Sequence, residues 1–310
     1  MGLLKTPGAA WAMPPVSAVR CVHAAGAALG EGVLWSVREQ ALYWVDILGR
    51  QLHRWRPGDG KRAQWTFDEE ISAVAERRDA PGLLVTLRRG FAWFDPATGA
   101  APRYAHQPAA EPPGNRFNDG KCDAQGRFWG GTMDFDCQQP TGALYRYDPD
   151  GQCSRHDEGF VVTNGPTWAG AAQGGHLYFN DTVQGCVYRY DFDAERGSVS
   201  NKQLWLRLAE GDGVPDGMTT DAQGRVWIAH WGGACVSCHH PETAQELGRV
   251  HLPTSHVTNC AFGGADLQTL FISTARTGLS PEQLAAQPLA GGLFAVDVGS
   301  PGVPAHLFGG

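Results

Sequence analysis

The string DAQGRFW, which begins at Asp123, recurs almost unchanged as DAQGRVW, which begins at Asp221, 98 residues later. A third copy, AAQGGHLYF from Ala171, lies about midway between them. The three copies define a unit of about 49 residues, a length typical of the blades of a β-propeller. Each copy is a turn followed by an apolar or alternating run, which is the pattern of a β-strand entered from a tight turn.

Weaker copies extend this repeat over the rest of the chain. They bring the turn-and-strand units to six: REQALYW from Arg38, DAPGLLV from Asp79 and GADLQTLFI from Gly264. A second strand-like element follows each unit: LHRWR from Leu52, FAWFD from Phe91, LYRYD from Leu144, VYRYD from Val187, CVSCH from Cys235 and LFAVD from Leu293. The spacing leaves room for about two more strands, as in a four-stranded blade. The sequence therefore predicts an all-β, six-bladed β-propeller with four-stranded antiparallel blades; a β-sandwich or two smaller β domains would not explain the sixfold phase.

The composition agrees with this prediction, because 41 Gly, 20 Pro and 11 Trp among 310 residues favour turns and pleated surfaces over helices. We expect an N-terminal extension at residues 1–18 and one propeller domain at residues 19–310. A terminal segment must close the ring, and the sequence offers two, residues 303–308 and the segment around Val19. Residues 278–289 predict an insertion in the last repeat, with about one helical turn.

Charge and hydropathy argue against two classes of partner. The chain has 32 acidic and 25 basic side chains, a formal net charge of −7, and no Lys/Arg cluster of the kind that follows a phosphate backbone. Its apolar stretches are too short to span a bilayer, and residues 1–19 lack the continuous apolar core of an export signal. We expect a cytoplasmic protein, a monomer by default, that binds neither nucleic acid nor membrane and whose eight cysteines are mostly reduced.

Four oxygen-bearing side chains occupy matching positions of the repeat, about ten to thirteen residues before the turn-entered strand of their unit. They are Glu31, Asn118, Asn164 and Asp216, and the equivalent positions in the other two units fall near Ser72 and Asn259. Residues of equal phase lie at equal height around a propeller channel, so we expect them to converge on its axis. Carboxylates buried with amide carbonyls suit a hard cation such as Ca²⁺, Mg²⁺ or Mn²⁺. The alternative is that these residues cap turns, as Asn and Asp often do beside Gly.

The strings around these positions resemble the senescence marker protein/gluconolactonase family, which includes regucalcin and bacterial aldonolactonases. In chain order they are LGEGVLW with Glu31, RFNDGKCDAQGRFWGGTMD from Arg116, TNGPTWAG with Asn164, LYFNDT from Leu177, VPDGMTTDAQGRVWIAHWGG with Asp216, and LFISTARTG. The resemblance runs from about Cys21 to the C-terminus. The strings AHWGG and PLAGGLF look more like the bacterial sugar lactonases than regucalcin.

This resemblance implies a six-bladed propeller with one divalent metal ion held by Glu31, Asn164 and Asp216. The identity of the ion is open among Ca²⁺, Mn²⁺, Mg²⁺, Zn²⁺ and Fe²⁺. The implied activity is hydrolysis of a sugar lactone, such as a glucono-, xylono-, arabinono- or galactonolactone, to the aldonic acid. One metal can bind the lactone carbonyl and activate a water, and Asp216 is expected to serve as ligand and proton carrier.

The resemblance also implies a set of substrate contacts. Arg116 and Asn118 are expected to bind substrate hydroxyls near the metal. In the family a carboxylate after the GTM string also touches substrate; the string GTMDFD offers Asp134 and Asp136 for this contact, and we favour Asp136.

Two other functions remain open from the sequence. A metal-dependent aryl-ester or organophosphate hydrolase could use the same scaffold, because a fold does not fix its substrate. Alternatively, the chain could be a regucalcin-like calcium-binding regulatory protein, in which the metal serves structure or signalling.

Overall fold

Six four-stranded antiparallel sheets form a ring, which confirms the predicted six-bladed β-propeller. The computed structural model describes residues 11–170 and 175–310. Residues 1–10 of the expected N-terminal extension and the first four residues of the repeat copy at Ala171 therefore lie outside the described residues. The innermost strand of each sheet contacts the innermost strands of both neighbouring sheets, so six inner strands enclose the central axis.

The strands are numbered along the chain, and the first, β1, is Arg20–His23. Blade 1 contains β2 to β5, at Gly30–Ser36, Ala41–Asp46, Gln51–Trp55 and Arg62–Thr66. Blade 2 contains β6 to β9, at Ile71–Glu76, Leu83–Leu87, Gly90–Phe94 and Arg103–His106. Blade 3 contains β10 to β13, at Asn115–Cys122, Phe128–Asp134, Gly142–Tyr147 and Cys153–Phe160.

Blade 4 contains β14 to β17, at Thr163–Ala169, His176–Asp181, Cys186–Asp193 and Ser198–Arg207. Blade 5 contains β18 to β21, at Val214–Thr220, Val226–Trp231, Cys235–His239 and Glu246–His251. Blade 6 combines β22, β23 and β24, at Val257–Gly263, Thr269–Thr274 and Leu293–Asp297, with β1. The expected insertion in this blade contains a single short helix, α1, at Pro281–Ala286, which Ser280 caps. The two strand-like elements of each sequence repeat are thus the second and third strands of the blades.

The strand nearest the N-terminus closes the ring. β1 pairs with β24, and the Arg20 guanidinium donates to both carboxylate oxygens of Asp297, at 2.8 and 3.0 Å. Of the two segments that the sequence offers for closure, the one beside Val19 is therefore used. The other crosses the far end of the channel, where Phe308 N donates to Glu76 O at 2.8 Å and the Phe308 ring is fully buried.

The repeated DAQGR string ties a turn to the core of its blade. Asp221 Oδ2 accepts from Arg225 Nε at 2.6 Å and from Trp227 Nε1 at 3.1 Å, while its Oδ1 accepts from two backbone amides of the turn. Asp123 makes the equivalent contacts in the other copy. Both aspartates are buried, so the string recurs because it stabilises the fold and not because it takes part in chemistry.

Aromatic side chains fill the spaces between neighbouring blades. Between blades 5 and 6, Trp227 meets Phe262 edge-on with 5.8 Å between ring centroids. Between blades 2 and 3, Phe91 meets Phe117 in the same way at 4.9 Å. Each large side chain buried in this manner contributes about 1.5–3 kcal/mol. The blades therefore hold one another through apolar contact, which leaves the axis free for polar groups.

The eight cysteines all lie in the described residues and all are free thiols, as the sequence predicts. Five of them are buried, and Cys137 is the exposed one. Across residues 11–170 and 175–310, no helix is long and apolar enough to cross a membrane.

Candidate active site

All six inner strands have an irregular pairing register at the same end of the ring. In β2 the register shifts between Glu31 and Leu34, and in β14 it shifts between Asn164 and Thr167. The shifts in the other inner strands fall at Ile71/Ala73, Phe117/Gly120, Pro215/Met218 and Val257/Asn259. A β-bulge re-aims side chains that a regular strand would turn to its two faces. The bulges here explain how polar side chains of different blades come into contact on the axis.

The glycine after Glu31 is required by the close approach of two inner strands. Gly32 has a φ of 57°, a conformation that favours glycine, and a Cβ atom at this position would lie 2.9 Å from the backbone oxygen of Ser72. Ser72 itself pairs its hydroxyl with that of Thr86 at 2.9 Å, within its own sheet. The blade 2 position of equal phase therefore contributes its backbone, and not an axial side chain.

Two buried carboxyl groups, one from blade 1 and one from blade 5, meet on the axis. Glu31 and Asp216 are each 4% exposed. Burial raises the pKa of Glu31, and the charge of Asp119 raises it further. Burial also raises the pKa of Asp216. The charge of Glu31 and a hydrogen bond between the two carboxyl groups raise this pKa further. Two carboxylates this close cannot both ionise unless a positive charge joins them.

A third buried acid, Asp119, lies beside this pair and was not among the residues singled out in the sequence. Its Oδ1 accepts from Gly120 N at 2.8 Å, and its Oδ2 accepts from Gly165 N at 3.1 Å and Asn259 Nδ2 at 3.2 Å. Asn259 Nδ2 also donates to Glu31 Oε2 at 3.0 Å. Asn259 thus joins the two acids, as its phase in the repeat suggests. Its place in the sequence, between the axial candidate Asn118 and Gly120, could have indicated that Asp119 also belongs to the site.

A chain of hydrogen bonds links Arg116 to Asn164 across blades 3 and 4. Arg116 Nη1 donates to Asn118 Oδ1 at 2.5 Å, and Asn118 Nδ2 donates to Asn164 Oδ1 at 3.1 Å. Asn164 Nδ2 in turn donates to Thr182 Oγ1 at 2.8 Å. All three predicted residues are buried, so the structure brings Arg116, Asn118 and Asn164 together. These hydrogen bonds determine the orientation of the Asn164 amide, because its oxygen must face the Asn118 donor and its nitrogen the Thr182 hydroxyl.

Asn180 is another axial residue that sequence reasoning missed, although it lies in the LYFNDT string. Its Nδ2 donates to the backbone oxygen of Asp216 at 2.6 Å. Its Oδ1 is buried without a hydrogen-bond partner in the described residues, and so is Oδ1 of Asn259. Buried oxygens of this kind are normally satisfied by a donor, a water or an ion. The end of the channel thus presents acceptors in excess of donors.

The donor set fits a hard cation better than a soft one. Within the described ranges, no group of three or more His, Cys, Asp and Glu side chains is arranged to hold a metal ion. Two carboxyl groups, Glu31 and Asp216, do lie together, and the buried amide of Asn164 is on the inner strand next to that of Asp216. Carboxylates and amide carbonyls are the ligands that Ca²⁺, Mg²⁺ and Mn²⁺ prefer. A cation here would relieve the mutual repulsion of the two carboxylates.

The acids of the GTMDFD string lie at the end of β11 and in the loop after it. Asp134 Oδ2 accepts from the backbone amides of Gln138 and Gln139, both at 2.9 Å, and these bonds lower its pKa. Its carboxylate is therefore engaged within the loop. The Asp136 side chain is exposed and forms no hydrogen bond or ion pair with another described residue. The structure does not bring Asp136 into contact with Arg116 or Asn118, and its substrate contact stays a prediction.

Two neighbouring aromatic residues at the end of β19 differ in accessibility. His230 is fully buried, with Nδ1 2.8 Å from Asp212 O and Nε2 2.7 Å from Ser237 Oγ. Trp231 is partly exposed and stacks on His256 at 4.0 Å between ring centroids. Trp231, and not His230, is therefore the residue available at the rim of the channel.

Comparison with known proteins gives a consistent result over nearly the whole chain. Residues 29–276 match the family model described as SMP-30/Gluconolactonase/LRE-like region. The chain is 38% identical to a 6-deoxy-6-sulfogluconolactonase of Pseudomonas putida, over 94% of this chain and 99% of that protein. It is 36% identical to a pentonolactonase of Haloferax volcanii, over 89% and 93%, and 32% identical to regucalcin of Danio rerio, over 94% and 98%.

Solved structures agree with the sequence comparison. A calcium-binding protein, regucalcin, from Agrobacterium tumefaciens superposes with a TM-score of 0.88 at 25% identity, covering 96% of this chain and 99% of that one. A luciferin-regenerating enzyme superposes with a TM-score of 0.85 at 28% identity, covering 94% and 100%. The family match, the relatives and the shared fold lead to one conclusion: this chain belongs to the SMP-30/gluconolactonase/LRE-like family.

Proposed function

We propose that this protein hydrolyses a sugar lactone with the help of one divalent metal ion. The observation that carries the proposal is the buried carboxyl pair of Glu31 and Asp216 at one end of the propeller axis, with the buried amide of Asn164 on the neighbouring inner strand β14. Such a cluster is costly to bury without a cation. The names of two relatives, a sulfogluconolactonase and a pentonolactonase, support the same reaction class.

Glu31, Asn164 and Asp216 would hold the metal. The oxygen ligands favour Ca²⁺, Mg²⁺ or Mn²⁺, and the name of the Agrobacterium tumefaciens protein makes Ca²⁺ a natural first test. When bound, a divalent ion supplies Lewis-acid polarisation of a carbonyl and lowers the pKa of a bound water. The hydrogen bonds from Asn118 and to Thr182 hold the Asn164 amide in one orientation.

The remaining residues bind the substrate and move a proton. Arg116 uses Nη1 to contact Asn118 Oδ1 and Phe117 O, which leaves its other nitrogens to donate to lactone hydroxyls. Asp216 is the group we assign to accept a proton from the attacking water at its carboxylate. Asp136 is free of other partners in the described residues and could accept from a substrate hydroxyl. The substrate class is an aldonolactone with several free hydroxyls.

The deciding experiment is a proton-release assay on a panel of glucono-, xylono-, arabinono- and galactonolactones. The protein is first treated with a chelator and then supplied with Ca²⁺, Mn²⁺, Mg²⁺ or Zn²⁺. We expect metal-dependent hydrolysis above the spontaneous rate. Glu31→Gln should abolish the metal response, whereas Glu39→Gln, which alters a carboxylate of the surface pair with Arg54, should retain it. Full hydrolysis by the chelated protein would contradict the proposed role of the metal.

A further inference from the structure

Another acidic residue near the site, Glu70, stands apart from the carboxyl pair. It directly precedes β6, the inner strand of blade 2, and therefore lies at the same end of the ring as Glu31 and Asp216. Gly32 packs against the backbone of Ser72, which fixes the alignment of β2 with β6 at this height. Glu70 is 5% exposed. A buried carboxylate at the mouth of a channel requires an explanation.

Two arginines face Glu70, but neither forms a hydrogen bond with it. Arg50 Nη2 lies 3.3 Å from Oε1 and Arg88 Nη1 lies 3.9 Å from Oε2. Within the described residues, no side chain or backbone amide donates a hydrogen bond to either oxygen. Buried carboxylates usually accept several such bonds, because desolvation of an unpaired charge is costly. Glu70 is thus balanced by ion pairs with two arginines, while no described donor forms a hydrogen bond to its oxygens.

Glu70 and Arg88 adjoin the residues proposed to bind substrate. The Arg88 guanidinium lies over the ring of Phe135, 4.8 Å from its centroid, and Phe135 precedes Asp136. Arg88 O accepts from Phe117 N at 3.0 Å, next to Arg116. Burial lowers the pKa of Arg116, and the charge of Glu70 is among those that oppose this shift. Blades 2 and 3 therefore form one wall of the site, on which Arg116 and Glu70 are near enough for their charges to interact.

We propose that Glu70 binds a hydroxyl of the lactone remote from its carbonyl and makes the site selective for uncharged sugar lactones. The inference rests on the proposed function and specifies its substrate class. A sugar hydroxyl supplies the donor that Glu70 lacks, and a hydrogen bond to a charged acceptor is stronger than a neutral one. A substrate phosphate or sulfonate would instead be repelled by the carboxylate.

In the same arrangement, Glu70 is expected to keep the two arginines from attracting anions. Arg50 and Arg88 have partly exposed side chains, and guanidinium groups bind phosphates well. With Glu70 between them, their charge is offset. Replacing this carboxylate by a neutral group of the same shape would leave two free guanidinium groups beside the substrate. Glu70 therefore determines whether the site prefers neutral or anionic ligands.

The test uses gluconolactam and gluconolactam 6-phosphate, which keep the ring and the carbonyl but resist hydrolysis. Calorimetry measures the binding of both compounds to the metal-loaded protein. We expect Glu70→Gln to weaken binding of the neutral lactam by about 10-fold or more and to strengthen binding of the phosphorylated one. Adding Arg88→Gln should remove the gain for the phosphate. Glu69→Gln is the matched control, since the neighbouring carboxylate accepts from Tyr104 OH at 2.6 Å away from the site.

The outcomes separate this inference from the proposed function. Lactam binding with the expected Glu70→Gln reversal, but without lactonase activity, would support the inference and contradict the proposed function. Lactonase activity with equal effects of Glu70→Gln on both lactams, or with no effect, would overturn the inference alone. If Glu70→Gln does not fold, Glu70→Asp keeps the charge with a shorter reach: the neutral lactam should bind more weakly with no gain for the phosphate, and any such gain would overturn the proposal.

Discussion

Asn118 Nδ2 donates to Asn164 Oδ1 at 3.1 Å across the gap between blades 3 and 4. The residue assigned to the substrate therefore orients the oxygen assigned to the metal. Arg116 extends this series of hydrogen bonds, because its Nη1 donates to the Asn118 oxygen. The metal subsite and the substrate subsite are thus coupled through one buried amide, and changes at Asn118 should affect both, though unequally.

Asp216→Ala should reduce activity far more than Asn118→Ala. In the proposed mechanism Asp216 supplies a charge to the metal and a base to the water, and general-base catalysis alone is worth about 10²–10⁴-fold in rate. We expect kcat to collapse even at saturating metal, with weaker metal binding. The measurement is kcat at several metal concentrations, together with metal affinity by calorimetry. Normal turnover by Asp216→Ala would rule out its role as base.

Asn118→Ala should mainly raise KM. A lost neutral hydrogen bond costs about 0.5–1.5 kcal/mol, and the Asn164 amide retains its bond to Thr182 Oγ1. Metal affinity, measured by calorimetry, should therefore fall less than in Asp216→Ala. Equal losses of metal affinity in the two variants would make Asn118 a metal ligand and contradict its assignment to the substrate.

Removal of the metal should abolish activity and leave the propeller folded. The blades are held by apolar and aromatic contacts, whereas the proposed metal would act on a local group of carboxylates. A ligand present at 100 times its Kd stabilises by about 2.7 kcal/mol, so chelation should lower Tm by roughly 5 °C. Circular dichroism and thermal melting of the chelated protein check this. A chelated protein without β-sheet signal would show that the metal holds the fold itself.

The fold was predictable because each blade repeats the same local signals. The Asp123 and Asp221 strings recur with a fixed period since each must bind its own turn, arginine and tryptophan. The phase of the repeat also identified Glu31, Asn118, Asn164 and Asp216, because equivalent positions in a ring share a height. Asn259 was placed on the axis by the same argument, and it contacts Glu31.

The rest of the candidate site depends on features that phase alone does not encode. Asp119 faces the axis because a bulge in β10 re-aims it, although regular alternation would turn it and Asn118 to opposite faces. Glu70 precedes its strand, outside the repeated position. Asp136 lies in a loop, where neighbours are set by tertiary packing and not by period. The closing strand could not be chosen because both terminal segments had suitable length.

Stability should decrease as the pH falls from about 6.5 toward 4, and His53 should account for part of the loss. Burial lowers the pKa of His53 to about 4, and its ring stacks on Trp44 at 3.9 Å. The folded state therefore binds fewer protons than the unfolded state in this range. The contribution of His53 to the free energy of unfolding is fully present above about pH 6.5 and is lost as the pH falls toward 4. The contribution lost by pH 4.5 is about 2 kcal/mol, allowing for partial exposure.

The variant that tests this effect is His53→Phe, which keeps a ring against Trp44 and removes the titration. Urea unfolding at pH 7.5 and pH 4.5 should show a smaller difference in the free energy of unfolding for the variant than for the original chain. His156, whose pKa burial also lowers to about 4, should sustain part of the remaining pH dependence. An unchanged pH dependence in His53→Phe would mean that His53 is protonated in the folded protein.

Asp221→Ala should destabilise the protein strongly without altering its chemistry. The change removes the acceptor of Arg225 Nε and Trp227 Nε1 and leaves a guanidinium that is almost fully buried without its carboxylate. Breaking a buried ion pair from one side costs about 3–5 kcal/mol. Asp221 follows the end of β18 opposite to Asp216, so the activity of the remaining folded protein at saturating metal should be normal.

The double variant Asp221→Ala with Arg225→Met separates the charge effect from lost packing. Because the second change removes the unpaired charge, the double variant should be more stable than Asp221→Ala alone, as measured by the midpoint of urea unfolding. If the losses of stability in the single variants Asp221→Ala and Arg225→Met simply add up in the double variant, the ion pair does not couple these residues. A fall in kcat of the folded Asp221→Ala protein would instead connect the repeated string with the active site, contrary to its purely structural role.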